Sequence, residues 1–460
     1  MIQRSKKRAY VETYGCQMNI SDGELMEGVL ESHGYEISAD PEDADVILVN
    51  TCAIREHAEK RVLGRVGQLY GLKRDRPDLI IGVTGCMAQR MGKTLLEKAP
   101  HVDLVMGPDG YRSLPERLAA LEEGRKIRPS RSAKRRGPQL VVLDLHLGEN
   151  YEGLEQRRSS RISAWVPVQR GCNHRCTFCI VPYVRGPEKN RRPGEVLREI
   201  EEIADSGLTE VTLLGQTVNS YEAEGKSFPD LLRSVARIPG IRRVRFTSPH
   251  PNDVTADLLD VMAEEATVCE QLHLPLQAGS DRTLRRMLRR YTVGSFFEKV
   301  EMARAVIPDI GLSTDVIVAF PGETHDEFEE TLEVMRTVRF DDAYTYRYSP
   351  REGTPATRFP DADFVSDREG QERLERLIEV HRGIQAEINE AEVGRMEEVL
   401  VEKEARDPGQ ILGRTRRNKV VAFTGSPELV GTYQKVRLTD TTGATFVGEV
   451  SATPALTGSA

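Results

Sequence analysis

Along residues 8–124, short apolar runs alternate with stretches whose apolar positions recur at helical spacing. The first run occupies 10–14 and precedes a helical pattern around 23–32; the second, 46–50, precedes one around 55–72; the third, 79–84, precedes another. Strands alternating with helices predict a parallel, doubly wound sheet. Residues 125–160 break the pattern: Pro129 and Pro138 interrupt, and only 140–145 reads as a strand, so a linker or extended insertion is expected. Alternation resumes from Ile162 to about Pro350, with strands near 164–169, 210–214, 243–248, 271–276, 311–319 and 343–348, and helices such as 194–206 and 326–338. Six such units predict a partial TIM-type barrel, open on one side, whose site lies at the strand C-terminal ends. A charged helical stretch at 367–392 closes or flanks it. After Val393 come short β runs at 397–402, 419–423, 435–438 and 445–450, which predict a small antiparallel barrel of a kind that often binds single-stranded nucleic acid. The last ten residues read as a frayed tail.

The chain is therefore read as α/β, in the order N-terminal doubly wound domain 8–124, basic linker 125–160, partial (βα)6 barrel 161–392 and small β-barrel 393–455. Its length, 460 residues, fits about three domains at roughly 150 residues each. No stretch approaches the roughly 18 uncharged apolar residues of a membrane span, and the basic first ten residues lead into no apolar segment. A cytoplasmic location, no membrane association and, for want of a heptad pattern, a monomer are expected. The net charge of −8 argues weakly against nucleic acid, but binding responds to local field. Seven Lys or Arg lie between Arg125 and Arg136 without an acid; Arg282, Arg285, Arg286, Arg289 and Arg290 form a second cluster, and Arg414, Arg416, Arg417 and Lys419 a third.

Seven cysteines without a secretory signal point to reduced thiols acting as ligands or catalysts. Cys172, Cys176 and Cys179 form a compact C-x3-C-x2-C loop after the first barrel strand. Cys16, Cys52 and Cys86, at intervals of 36 and 34 residues, each follow a predicted strand of the first domain and should converge where parallel strands end. Thiolates hold iron–sulfur clusters, and three ligands leave one iron of a four-iron cubane free. Zinc is disfavoured, because no second CxxC or spaced His pair accompanies the compact loop. His174 reads as an exposed loop histidine and Cys269 as a buried inert thiol. Polar residues end the barrel strands, namely Gln216, Ser248, His250, His273, Gln277 and Asp315, where a nucleoside would need donors and acceptors.

The loop RGCNHRCTFCIVPYVRG resembles the radical S-adenosylmethionine superfamily, and the spread triplet narrows the resemblance to the methylthiotransferase family, MiaB-type branch. TYGCQMN at 13–19, NTCAIRE at 50–56, TGCMAQR at 84–90, LLGQTVNSY, TSPHP, FPGET, YSPREGTPA and GRTRRNK at 413–419 carry that similarity. The resemblance implies two 4Fe–4S clusters, an auxiliary one on Cys16, Cys52 and Cys86 and a radical-generating one on Cys172, Cys176 and Cys179. It implies S-adenosylmethionine as methyl donor and radical source, bound by Phe178, Gln216, Ser248, His273, Gln277 and Asp315, although Phe178 reads equally as an ordinary core aromatic. The implied reaction inserts a methylthio group at carbon 2 of the isopentenylated adenosine beside a tRNA anticodon. A terminal TRAM domain would grip the anticodon loop through Arg414, Arg416, Arg417 and Lys419, and a flavodoxin or ferredoxin would supply electrons. Rival readings are a sibling enzyme acting on threonylcarbamoyl-adenosine or on a ribosomal-protein aspartate, and a non-catalytic, metal-containing RNA-binding protein.

Overall fold

The computed structural model describes residues 6–53, 56–127 and 137–451. Most of the basic run at 125–136, and the tail from 452, lie outside the described residues.

The first sheet has six strands, all parallel, in the spatial order Glu36–Ile37, Arg8–Tyr14, Val46–Thr51, Ile80–Gly85, Leu104–Met106 and Leu140–Val142. Val46–Thr51 and Ile80–Gly85 are buried along their whole length, as strands covered by helices on both faces must be. Register sets the site: Thr51 pairs with Tyr14 on one side and with Gly85 on the other, so three chains leave the sheet at one level. The sixth strand comes from the segment expected to be a linker. Helix Gln17–Ser32 starts well before its predicted position, because the side chains of its first turns, Asn19, Ser21, Asp22 and Glu24, are polar yet buried. The helix expected after the third strand is cut by Gly92 into Cys86–Met91 and Lys93–Lys98.

All six predicted barrel strands are present. They form two parallel three-stranded sheets, Arg243–Phe246, Glu210–Leu214 and Ser163–Pro167 in one, Gln271–His273, Gly311–Val318 and Asp342–Arg347 in the other. A parallel bridge between Val244 and Val268 joins them on the side of the third strand. One apolar core runs through the unit, from Ala164 to Ile384. The helix Asp367–Glu392 forms as predicted, capped by Ser366, whose hydroxyl accepts from the Glu369 N–H.

The terminal unit is a closed five-stranded barrel rather than four β runs. The additional strand is Gln410–Arg414, and closure uses one parallel pair, Val420–Thr424 beside Thr445–Val450, in an otherwise antiparallel ring.

Candidate active site

Cys16, Cys52 and Cys86 meet at the C-terminal edge of the first sheet. Two buried asparagines tie their loops together: Asn50 donates to the Asn19 carbonyl at 2.7 Å, and Asn19 donates to the Thr51 carbonyl at 3.3 Å. Thr51 in turn donates to the Thr84 carbonyl at 3.0 Å. Gly15, at φ +142°, leaves no room for a side chain, since a Cβ there would stand 2.5 Å from the Cβ of Cys52. The Cys52 thiol beside it, with help from Arg185, pulls the Cys16 thiol down to about 6 against the effect of burial. Burial pushes Cys86 up, and Arg185 opposes it.

The compact triplet sits in a loop pinned from several sides. Thr177 donates its N–H to the Met287 carbonyl at 3.0 Å and its hydroxyl to the Arg286 carbonyl at 2.9 Å, while Ala356 N–H donates to the Thr177 carbonyl. Gly171, at φ +75°, abuts the opposite limb of the loop: a Cβ there would lie 2.0 Å from the Pro187 carbonyl oxygen. Cys172 Sγ lies 3.1 Å from the Thr217 hydroxyl. Burial pushes the Cys179 thiol up to about 12.

The two triplets face each other across one small apolar cluster, Ala53, Cys86, Ile180 and Val184. Ala53 follows Cys52, and Ile180 follows Cys179. Each triplet also receives a buried arginine. Arg185 Nε donates to Cys86 Sγ at 3.2 Å and its Nη2 to Asp22 at 2.6 Å; Arg289 Nη1 donates to Cys176 Sγ at 3.4 Å. Arg170 reaches the other oxygen of Asp22 at 2.5 Å and lies 4.2 Å from the Tyr151 ring centre. Burial works against the Asp22 carboxylate, but Arg185 and Arg170 outweigh it and hold its pKa below the usual range. Guanidinium donors on sulfur suit thiolates rather than thiols, and buried thiolates are soft ligands, so both donor sets fit iron–sulfur clusters.

The polar strand ends gather at one mouth. His273 shares Nδ1 with the Ser313 hydroxyl at 3.0 Å and Nε2 with Asp315 at 3.2 Å. Ser248 (φ 59°), Gln277 (φ 67°) and Ala319 (φ 57°) are left-handed non-glycine residues that follow the third, fourth and fifth barrel strands. Such strain concentrates where a fold presents groups to a ligand. The Gln216 Oε1 is buried without a hydrogen-bond partner. Phe178 is half-buried and meets Phe320 edge-on at 6.3 Å. His174, expected as an exposed loop histidine, is half-buried, with its ring stacked on His250 at 4.0 Å and 6°. Burial, Arg289 and His174 push His250 down to about 2, so it is a neutral imidazole.

The third basic cluster, expected to grip loop phosphates, is paired with carboxylates of the chain itself. Arg416 forms a bidentate pair with Glu270, Arg417 pairs with Glu392 and Glu397, and Lys419 reaches Asp341 at 2.7 Å and Asn389 at 2.9 Å. Arg414, the most exposed of the four, pairs with Glu402. Glu270, Glu392 and Asp341 lie outside the small barrel, so Arg416, Arg417 and Lys419 join it to the core, whereas Glu397 and Glu402 are the barrel's own. In the second cluster Arg282, Arg286 and Arg289 are engaged by Glu327, Asp363 and Cys176. Sequence reasoning missed Asp22, Arg170, Arg185 and the contact of Arg289 with sulfur; the one signal was the Val-Arg-Gly that closes the cysteine loop.

Two converging cysteine triplets, one at the mouth of a partial parallel barrel, define a radical S-adenosylmethionine protein with an accessory N-terminal domain. Residues 8–107 match the Uncharacterized protein family UPF0004, 166–335 the Radical SAM superfamily and 390–450 the TRAM domain. A tRNA-2-methylthio-N(6)-dimethylallyladenosine synthase of Carboxydothermus hydrogenoformans is 43% identical over 442 residues, covering 95% of this chain and 97% of the relative. One of Thermoanaerobacter sp. is 44% identical over 450 residues, covering 96% and 92%. The chain belongs to this family of radical S-adenosylmethionine tRNA methylthiotransferases. Among solved structures, the radical S-adenosylmethionine methyltransferase TsrM of Kitasatospora setae shares the fold at TM-score 0.56 and 16% identity, over 74% of this chain and 73% of that one. The cobalamin-dependent radical enzyme OxsB does so at 0.53 and 13%, over 72% and 52%. Among the described residues no helix is long and apolar enough to cross a membrane.

Proposed function

We propose that the chain inserts a methylthio group at carbon 2 of the isopentenylated adenosine beside the anticodon of a tRNA, consuming two molecules of S-adenosylmethionine. The observation that supports this reading is the packing of Cys86 with Ala53, Ile180 and Val184 in one small apolar cluster, which brings the loops of the two triplets together. Clusters bound at Cys16, Cys52 and Cys86 and at Cys172, Cys176 and Cys179 would supply, respectively, a sulfur-bearing centre with an open iron and a low-potential electron for cleaving S-adenosylmethionine. Phe178, Gln216, Ser248, His273, Gln277 and Asp315 bind that cosubstrate: the strained turns after the strands present Ser248 and Gln277, and Asp315 fixes the His273 ring. Asp22, Arg170 and Arg185 keep the wall between the triplets dry and charged. A base reaches the two triplets only when unpaired and turned outward, which an anticodon loop provides. The terminal barrel holds the RNA, and a flavodoxin or ferredoxin supplies electrons.

The test is anaerobic incubation of the cluster-loaded chain with isopentenylated tRNA, reductant and labelled S-adenosylmethionine. The methylthio nucleoside is the expected product. Replacing Cys172, Cys176 and Cys179 together by Ala should halve the iron, from about eight to about four per chain, and abolish cleavage. Retained cleavage, or product found only on threonylcarbamoyl-adenosine or on ribosomal protein, refutes the assignment.

A further inference from the structure

The three sulfurs of the compact triplet receive donors of different kinds. Cys176 accepts from the Arg289 guanidinium at 3.4 Å and Cys179 from the Val181 N–H of its own loop, whereas Cys172 Sγ lies 3.1 Å from the hydroxyl of Thr217, which belongs to another element. Thr217 follows the second barrel strand, Glu210–Leu214, and is 2% exposed. Among the described residues its hydroxyl meets no other partner, and a thiolate can only accept, so the hydroxyl hydrogen points at the sulfur. Side chains behind Thr217 fix that direction. The Thr217 N–H, which can only donate, gives its hydrogen to Gln169 Oε1 at 3.0 Å. The Gln169 amide is thereby oriented, and its Nε2 donates to the Ser220 hydroxyl at 3.0 Å. Ser220 Oγ in turn lies 2.8 Å from both Glu188 Oε2 and the Thr217 carbonyl, and the Asn190 amide donates to Glu188 Oε1 at 3.0 Å. Gln169 is fully buried, and its strand Gln169–Arg170 pairs with Lys189–Asn190, so the chain ties both limbs of the cysteine loop to the end of the second barrel strand. Gly215 leaves the amide its place, since a Cβ there would lie 3.0 Å from Gln169 Oε1.

We propose that Thr217 is a positioning residue for Cys172: backed by Gln169 and Ser220, it holds a hydroxyl donor on that sulfur and so raises the potential of a cluster bound at Cys172, Cys176 and Cys179. This rests on the reading of that triplet as a cluster site. Hydrogen bonds to the sulfurs are among the factors that set the potential of an iron–sulfur centre. Reduction adds negative charge to the cluster and its ligand sulfurs, so a donor aimed at one of them favours the reduced form. Partners behind a ligand matter as much as the contact itself, because they decide where it points. A hydroxyl on a free rotor could turn away from the sulfur; here the Thr217 backbone that carries it is pinned by a buried amide, and that amide by Ser220. Burial disfavours a Cys172 thiolate, and the Thr217 hydroxyl and the His174 N–H oppose it. The His174 N–H is the loop's own contribution, whereas Thr217 brings its hydroxyl from the barrel.

The experiment is an anaerobic redox titration of the cluster-loaded full-length chain followed by electron paramagnetic resonance, with iron content measured beside it. Thr217→Val keeps the shape and removes the hydroxyl; it should shift the midpoint of the cluster at Cys172 to lower potential while iron content stays at the level of the unaltered chain. Thr217→Ser returns the donor and should restore the midpoint. Gln169→Met keeps the volume and the Thr217 hydroxyl but removes the amide that pins it, and should shift the midpoint in the same direction as Thr217→Val. An unmoved midpoint in Thr217→Val, or one in Thr217→Ser displaced as far as in Thr217→Val, overturns the proposal. Where Thr217→Val loses iron, Gln169→Met decides, and an unmoved midpoint there overturns it. Loss of iron from both variants, or an equal shift of a cluster at Cys16, Cys52 and Cys86, shows a general structural role and overturns it as well. The methylthio reading is judged separately, by the nucleoside product formed on tRNA, so the two fail independently.

Discussion

Two buried guanidinium groups each touch one cysteine sulfur of a different triplet. Hydrogen bonds to sulfur and nearby charge set the potential of an iron–sulfur centre. Arg185→Gln should therefore lower the midpoint potential of a cluster bound at Cys16, Cys52 and Cys86 and leave one at Cys172, Cys176 and Cys179 unmoved, and Arg289→Gln should lower only the latter; redox titration followed by electron paramagnetic resonance reads both. Asp22 is the counter-charge for Arg185 and Arg170, with no exposed side-chain surface. Removing one partner of such a group leaves uncompensated charge in the interior, at a cost of about 3–5 kcal/mol. Asp22→Asn should lower the unfolding free energy by that amount in urea titrations, more than Arg185→Gln, because Arg170 still faces the carboxylate in the latter. The six cysteines were legible in the sequence because spacing and position after strands are local signals. Asp22, Arg170 and Arg185 were not: each reads as an ordinary surface charge until folding brings helix Gln17–Ser32 against the cysteine loop.

At the scale of elements, backbone geometry decides what the loops tolerate. Gly171→Ala would need both a left-handed alanine and an overlap with the Pro187 carbonyl, which displaces Cys172; this variant should lose iron from the compact triplet selectively while its circular dichroism is retained. The turn FPGET before helix His325–Val338 buries Glu323 against Arg373 at 2.9 Å. Burial raises the Glu323 carboxyl to about 7, with Arg373 opposing. The folded state then binds this proton more tightly than the unfolded chain, so stability falls as pH rises from about 4.5 through about 7 and is flat beyond. Glu323→Gln should flatten that segment of the stability profile, measured by chemical denaturation between pH 4 and pH 8, chosen at about one-unit steps around the two values. The barrel strands were legible because short apolar runs bounded by turns have few other readings. Strand Gln410–Arg414 was not, since Gly413 interrupts it; a Cβ there would lie 2.3 Å from the Leu400 carbonyl, so the close strand approach excludes the side chain that would have marked it.

Across the whole molecule, the terminal barrel is fixed to the core by a latch of arginines contributed from both sides. Arg243, fully buried, donates to the Arg414 carbonyl at 2.9 Å and the Glu398 carbonyl at 2.6 Å, and Arg245 donates to the Arg416 and Thr415 carbonyls, both at 2.8 Å. From the barrel side Arg416 grips Glu270 and Arg417 grips Glu392 at the end of the long helix, while Glu397, on the terminal barrel's own strand Met396–Glu404, steadies Arg417. The sequence reads this basic run as a phosphate grip because its acids are distant in the chain. Their proximity in the fold gives the run a structural task, holding the terminal barrel against the core. Replacing Arg416 and Arg417 by Ala should release the barrel, seen as a larger radius of gyration in solution scattering and faster proteolysis near residue 393. The salt dependence of tRNA affinity discriminates the two roles: each lost phosphate contact lowers its slope by about one unit, whereas undocking leaves the slope in place and reduces affinity at every salt concentration. The paired geometry predicts the second pattern, and Arg414→Ala, at the more exposed end of the run, is the variant in which a change of slope is expected.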